Sequence, residues 1–132
     1  MSNTAVVERV FEAINRGDVE AALAEAADDV VVDFSRSHSP YRGVYEGRGR
    51  VGRFWRDWLG SWEQLTWTPE QVTEVGDDLV LLVNHITGVG RGGIQVDARG
   101  GHVWRIAGGK VARMALFQTI EEARDCAESG GP

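Results

Sequence analysis

Apolar residues open the chain at helical spacing. Val7, Val10, Phe11 and Ile14 fall at i, i+3, i+4 and i+7, with Val6 beside them, so residues 4–16 read as an amphipathic helix. Gly17 ends it, and Asp18 caps a second, alanine-rich helix to about Ala27. Val30-Val31-Val32-Asp33-Phe34 is short and β-branched, which predicts a strand. A loop rich in Ser, Arg, Pro and Gly follows, from Ser35 to about Gly49. Val51, Phe54, Trp55, Trp58, Leu59 and Trp62 then form a second helical stripe, with Arg50, Arg53, Arg56 and Asp57 on the other side. Beyond it the period becomes that of strands: 65–75, 79–89, 94–106 and 110–118, separated by short Gly/Asp turns that predict antiparallel neighbours. Thr119-Ile120-Glu121-Glu122 fits a capping box and opens a last helix to about Glu128. The order predicts an α+β fold, with helices packed on one face of a bent sheet.

Composition narrows the function classes. The 132 residues suit one domain over 1–132, with the last few residues disordered. A net charge of −6 argues against a general nucleic-acid binder, and no polybasic segment is present for anionic lipid. The apolar runs are too short to span a bilayer, so no membrane partner is expected. Cys126 stands alone, without a partner for a disulfide or a second sulfur for zinc, and the opening Met1-Ser2-Asn3-Thr4-Ala5 lacks the basic and apolar segments of a signal peptide. The expectation is cytoplasmic. Lys110 is the one lysine among 14 basic residues, which with abundant Ala, Gly and Val points to a GC-rich bacterial source.

Three segments carry a family resemblance. AVVERVFEAINRGDVEAALAEAADDVVVDF, from Ala5 to Phe34, resembles the opening of ketosteroid isomerases without a gap. PYRGVYEGRGRVGRFWRDWL looks like the approach to the third helix in SnoaL-like proteins, and HVWRIAGGKVARMALF resembles the last hairpin of the same superfamily. The chain therefore resembles SnoaL-like members of the nuclear transport factor 2-like superfamily. That resemblance implies a cone-shaped α+β barrel, with N-terminal helices packed on a strongly bent, mostly antiparallel sheet. It also implies a hydrophobic small-molecule pocket and a homodimer through the sheet. The run Leu79–Val83, apolar on both faces, fits a strand covered on both sides.

The fold hosts isomerases, cyclases, dehydratases, epoxide hydrolases and non-catalytic binders, so chemistry must come from individual residues. The isomerase mechanism needs a carboxylate base and an oxyanion hole of a tyrosine and a protonated aspartic acid. Here the tyrosine's place falls on Val10 and the base's on Phe34, neither of which can transfer a proton, while the second acid aligns with His102. The epoxide hydrolase pattern fails as well: Ala115, Leu116 and Phe117 stand where an aspartate is needed. SnoaL-like cyclases place an acid–base aspartate close to the position of His102. Strand periodicity puts His102, Trp104 and Ile106 on one face, so His102 enters the cone with Trp104 as a candidate acid–base, or as a core histidine satisfied by a backbone partner. Asp33, the carboxylate nearest the absent base, is a second candidate catalytic residue; alternation turns it away from Phe34, and the other reading is a carboxylate facing solvent or an interface.

Phe34, Tyr41, Tyr45, Trp55, His85 and Trp104 are the candidate ligand contacts. His85 is a second imidazole for the same pocket, and the tyrosines either cover its mouth or anchor their loop. Two histidines and an aspartate lack tight metal-ligand spacing, so no metal is expected. Gly88-Val89-Gly90-Arg91-Gly92-Gly93 spells G-x-G-x-x-G, yet a strand follows it rather than a helix, which makes it a hairpin turn and leaves no cofactor expected. Six arginines make 36–56 locally basic, as a solvated helix face or a site for a ligand's carboxylate or phosphate. Three readings stand open: an enzyme using His102 on a hydrophobic carbonyl substrate, a non-catalytic binder of such a molecule, and a structural dimeric domain.

Overall fold

The structure is a computed structural model that describes residues 2–132. Ser2 accepts from the Ala5 amide and starts α1 (Asn3–Asn15), whose buried face is the sequence stripe of Val6, Val7, Val10, Phe11 and Ile14. Asp18 caps α2 (Val19–Ala24) through the Ala21 amide. β1 (Ala26–Asp33), β2 (Val44–Glu46), α3 (Arg48–Gly60), β3 (Trp62–Val75), β4 (Leu79–Gly90), β5 (Gln95–Ala107), β6 (Lys110–Phe117) and α4 (Ile120–Glu128) follow. The strands form one curled sheet in the order β2-β1-β6-β5-β4-β3, antiparallel except for the parallel β1–β6 pair.

Four local expectations change. The second helix stops at Ala24 because Ala26 already pairs with Val111 and the Glu25 carbonyl accepts from the Val111 amide; the sheet ladder overrides the helix preference of alanine. The 35–49 loop contains β2, too short to show a period, whose Tyr45 pairs with Val32. Trp62 fits the helical stripe by spacing, but α3 ends at Gly60 and Trp62 opens β3 opposite Gly90. Its ring lies across Gly88, where a Cβ would come within 2.9 Å of it, so the bare glycine admits the indole. Finally, α4 does not join the other helices on the concave face.

Parity along the strands separates two cores. Val30, Val32, Val80, Leu82, Trp104, Ile106 and Met114 face inward against α1 and α3. Leu79, Val103, Ala115 and Phe117 face outward against Ala123 and Ala127 of α4. That helix comes so close that a Cβ on Gly101 would stand 2.5 Å from the Ala123 methyl. The apolar run Leu79–Val83 thus has an intrachain explanation: its outer residues Leu79 and Leu81 pack into the α4 core. The C-terminal glycines are held against the same face, with the Gly130 carbonyl accepting from Arg105 at 2.6 Å.

Candidate functional site: an unpartnered histidine in an aromatic cone

β5 carries the inner wall. Its register with β4 runs unbroken from Leu79↔Arg105 to Val89↔Gln95, so the alternation holds through His102 and Trp104; the pairing with β6 shifts only beyond Arg105, and Ile106 still joins the inner core. His102 is 1% exposed. Aromatic rings surround it: Trp67 at 5.3 Å between centroids, Phe11 at 6.1 Å and Trp104 at 6.1 Å. Among the described residues, neither Nδ1 nor Nε2 of His102 has a hydrogen-bond partner, nor does Nε1 of Trp104. A core histidine satisfied by a backbone group is therefore not what the fold builds. Burial in this apolar shell drives the imidazole pKa down to about 3, leaving the ring neutral near pH 7, with one donor and one acceptor nitrogen.

Trp67 is the most firmly held wall. The side chain of Asn15, at the end of α1, bonds both sides of its peptide: Nδ2 donates to the Trp67 carbonyl at 2.7 Å, and Oδ1 accepts from the Trp67 amide at 3.1 Å. With its amide oriented to satisfy both neighbours, buried Asn84 accepts from Trp67 Nε1 at 2.8 Å and donates to the Gly100 carbonyl at 3.1 Å. Trp58 and Phe11 close on the same indole at 5.3 and 4.2 Å. The sequence pattern marks Phe11 only as part of the α1 stripe and does not mark Asn84 as a site residue, although Asn84 leaves a trace. It is the polar residue on the inner parity of a strand whose other inner positions, Val80, Leu82 and Ile86, are apolar.

Small residues thin the inner face beyond His102. Ala98 and Gly100, with Asn84, Ile86, Arg99, Leu116, Phe117 and Gln118, line a hollow of about 130 Å³ on β4, β5 and the end of β6, which His102 itself does not line. Leu116, on its inner side, is the register partner of His102.

The remaining candidates fall elsewhere. Asp33 pairs with Ala115 of the outer core and faces away from His102. Its carboxylate accepts from the amide and hydroxyl of Ser35 at 2.9 and 2.6 Å, and lies 3.6 Å from Arg36 and 3.5 Å from Arg113. Burial pushes its pKa up, but the Ser35 hydrogen bonds and the two guanidiniums outweigh that and hold it below the usual value. His85 does not share the interior with His102. Leu82 is the residue opposite His102, and three steps along the strand reverse the face, so His85 points outward, its Nε2 2.6 Å from Asp97 Oδ1. The tyrosines anchor their loop: Tyr41 donates to the Asp57 carbonyl and Tyr45 to the Tyr41 carbonyl, while the Tyr45 ring stacks on Phe54 at 4.3 Å. Phe34 packs on the other side of Phe54 at 4.7 Å, and Trp55 is buried in the inner core.

No curated protein sequence matches the chain. Solved structures match over nearly all of it. An NTF2-like protein of unknown function from Burkholderia pseudomallei superposes with a TM-score of 0.80 at 25% identity, covering 92% of this chain and 95% of that one. RV0760c from Mycobacterium tuberculosis, in complex with estradiol-17beta-hemisuccinate, gives 0.76 at 21% identity over 89% and 93% of the two chains. The Delta 5-3-ketosteroid isomerase from Mycobacterium sp. gives 0.73 at 19% identity over 89% and 92%. The SnoaL-like domain family matches residues 7–114, from the first buried turn of α1 to the inner methionine of β6. With that span and the curled six-stranded sheet, the chain belongs to the SnoaL-like domain family and has the NTF2-like fold.

Proposed function

We propose that this protein binds a small, flat, hydrophobic molecule bearing one hydroxyl or carbonyl oxygen, which enters at the hollow beside Leu116 and hydrogen-bonds to His102. The observation that carries the reading is the imidazole with two unpartnered nitrogens amid aromatic rings. A buried polar group without a partner costs about 1–3 kcal/mol, a cost that a ligand oxygen on His102 would offset. The steroid-derived ligand of the mycobacterial relative supports the same class of guest. Binding is favoured over acid–base catalysis. A general base works best with a pKa near the operating pH, and the buried imidazole lies far below that, while the nearest candidate carboxylate, Asp33, is on the other face.

The test uses 2-naphthol as the probe, titrated by tryptophan fluorescence and calorimetry into the wild-type protein and His102→Leu. Leucine keeps the apolar volume and removes both nitrogens. Saturable wild-type binding that weakens about tenfold in the variant is expected. Equal affinity in the two proteins removes His102 from the site.

A further inference from the structure

The arginine-rich stretch before and within α3 is not absorbed by the cone. Six of the 14 basic residues lie between 36 and 56, with Glu46 as the one acidic residue there, in a chain whose net charge is −6. Three of the six are engaged: Arg36 with Asp33, Arg48 with Asp28 and Arg56 with Glu20. Arg50 and Arg53 make no ion pair and no side-chain hydrogen bond with any described residue. They stand three apart on α3, which puts them on one face of the helix. Both line a surface groove of about 400 Å³ together with the aromatic side chains of Tyr41 and Tyr45 from the preceding loop and strand and Phe54 of α3 itself.

The wall is rigid. Both tyrosine hydroxyls are spent on backbone carbonyls, and the Tyr45 and Phe54 rings are stacked. Val44, at 47% exposure one of the two large apolar side chains left open to solvent among the described residues, forms the groove's apolar lip. Asp57, one turn beyond Arg53 on the same helix, adds a negative charge to the lining. Along α3 the groove's charges therefore run from Arg50 through Arg53 to the carboxylate of Asp57, with aromatic rings in the same lining. Guanidinium groups take carboxylates through paired N–H donors, and an aromatic ring packs well against tyrosine and valine. Asp57 orients the guest by repelling its charged end toward Arg50 and Arg53.

We propose that this groove is a second binding site, for a small aromatic carboxylate whose carboxyl group lies on Arg50 and Arg53 and whose ring lies along Tyr45 and Val44. The site is independent of His102.

The test pairs two probes, 2-naphthoate and the uncharged 2-naphthol, titrated into the wild-type protein, Arg50→Gln/Arg53→Gln and His102→Leu by calorimetry at low salt, with ring resonances of Tyr45 followed by NMR. Naphthoate affinity is expected to fall at least about tenfold in the double arginine variant, to stay unchanged in His102→Leu, and to drop as salt is raised. Saturable shifts at Tyr45 with naphthoate but not with naphthol support the placement. Equal naphthoate affinity in the arginine variant, or no binding to the wild-type protein at millimolar probe, overturns the proposal. Failure of the cone reading shows separately, as unaltered naphthol binding in His102→Leu. Both arginines reach solvent, and the single variant Arg53→Gln repeats the comparison should the double variant fold poorly.

Discussion

His85 and His102 lie on neighbouring strands of the same sheet, and their environments are opposite. His85 faces out, beside the carboxylate of Asp97; His102 faces in, among the rings of Phe11, Trp67 and Trp104, with no partner for either nitrogen among the described residues. The residue type is the same, and strand parity alone decides which imidazole is solvated and which is held neutral. The lesson extends to the carboxylate: Asp33 and Phe34 are adjacent in sequence, yet one joins the outer arginine network and the other the aromatic interior.

The sharpest way to break this contrast is to bury a charge at the inner position and truncate the outer one. His102→Asp buries a carboxylate among aromatic rings and is expected to cost about 4 kcal/mol or to prevent folding. His85→Ala, which loses a half-exposed contact, should cost under about 1 kcal/mol in urea unfolding. Similar losses at the two sites would show that the faces are not as assigned.

Acidification tests the same contrast without any substitution. The folded pKa of His102 is depressed to about 3 by burial, whereas an unfolded histidine titrates near about 6.5. Between those values the unfolded chain binds a proton that the folded chain refuses, so stability rises with pH across the window and is level above it. The expected slope is about 1.4 kcal/mol per pH unit below about pH 6.5. His102→Leu should remove that component and, by exchanging an unsatisfied polar group for an apolar one, gain about 1 kcal/mol near neutral pH. A wild-type slope that persists in the variant assigns the acid sensitivity to other groups.

A smaller effect than those at His102 belongs to the outer network. Asp33→Asn should cost about 1 kcal/mol at neutral pH and leave 2-naphthol affinity unchanged. Because the folded pKa of Asp33 is lowered, this contribution is present above the unfolded value of about 4 and fades as pH falls through the folded one. Weakened naphthol binding in Asp33→Asn would place the carboxylate in the ligand site after all.

Much of the architecture was legible because its signals are local and periodic. The α1 stripe, the four long strands, the Thr119 cap with its bond from the Glu122 amide, and the inward turn of His102 with Trp104 all follow from spacing. What depends on distant pairing was not. The face of His85 relative to His102 is set by the register that puts Leu82 opposite His102, and nothing in either strand alone carries that register. Trp62 continued a helical stripe by coincidence of spacing, and only the Gly88 notch on β4 explains where its ring goes. α4 reads as a helix but not as a helix on the outer face, since the complementary signal is the missing side chain of Gly101. Asn15 and Asn84 fix Trp67 from opposite ends of the chain's fold, a convergence visible only once α1, β3 and β4 are assembled.

The most direct test of the central claim is nitrogen NMR of the histidine side chains during a 2-naphthol titration at pH 7. The account predicts that the His102 ring nitrogens, one protonated and one bare, shift saturably with the binding curve while those of His85 do not. Saturation of binding with the His102 nitrogens unmoved would contradict it.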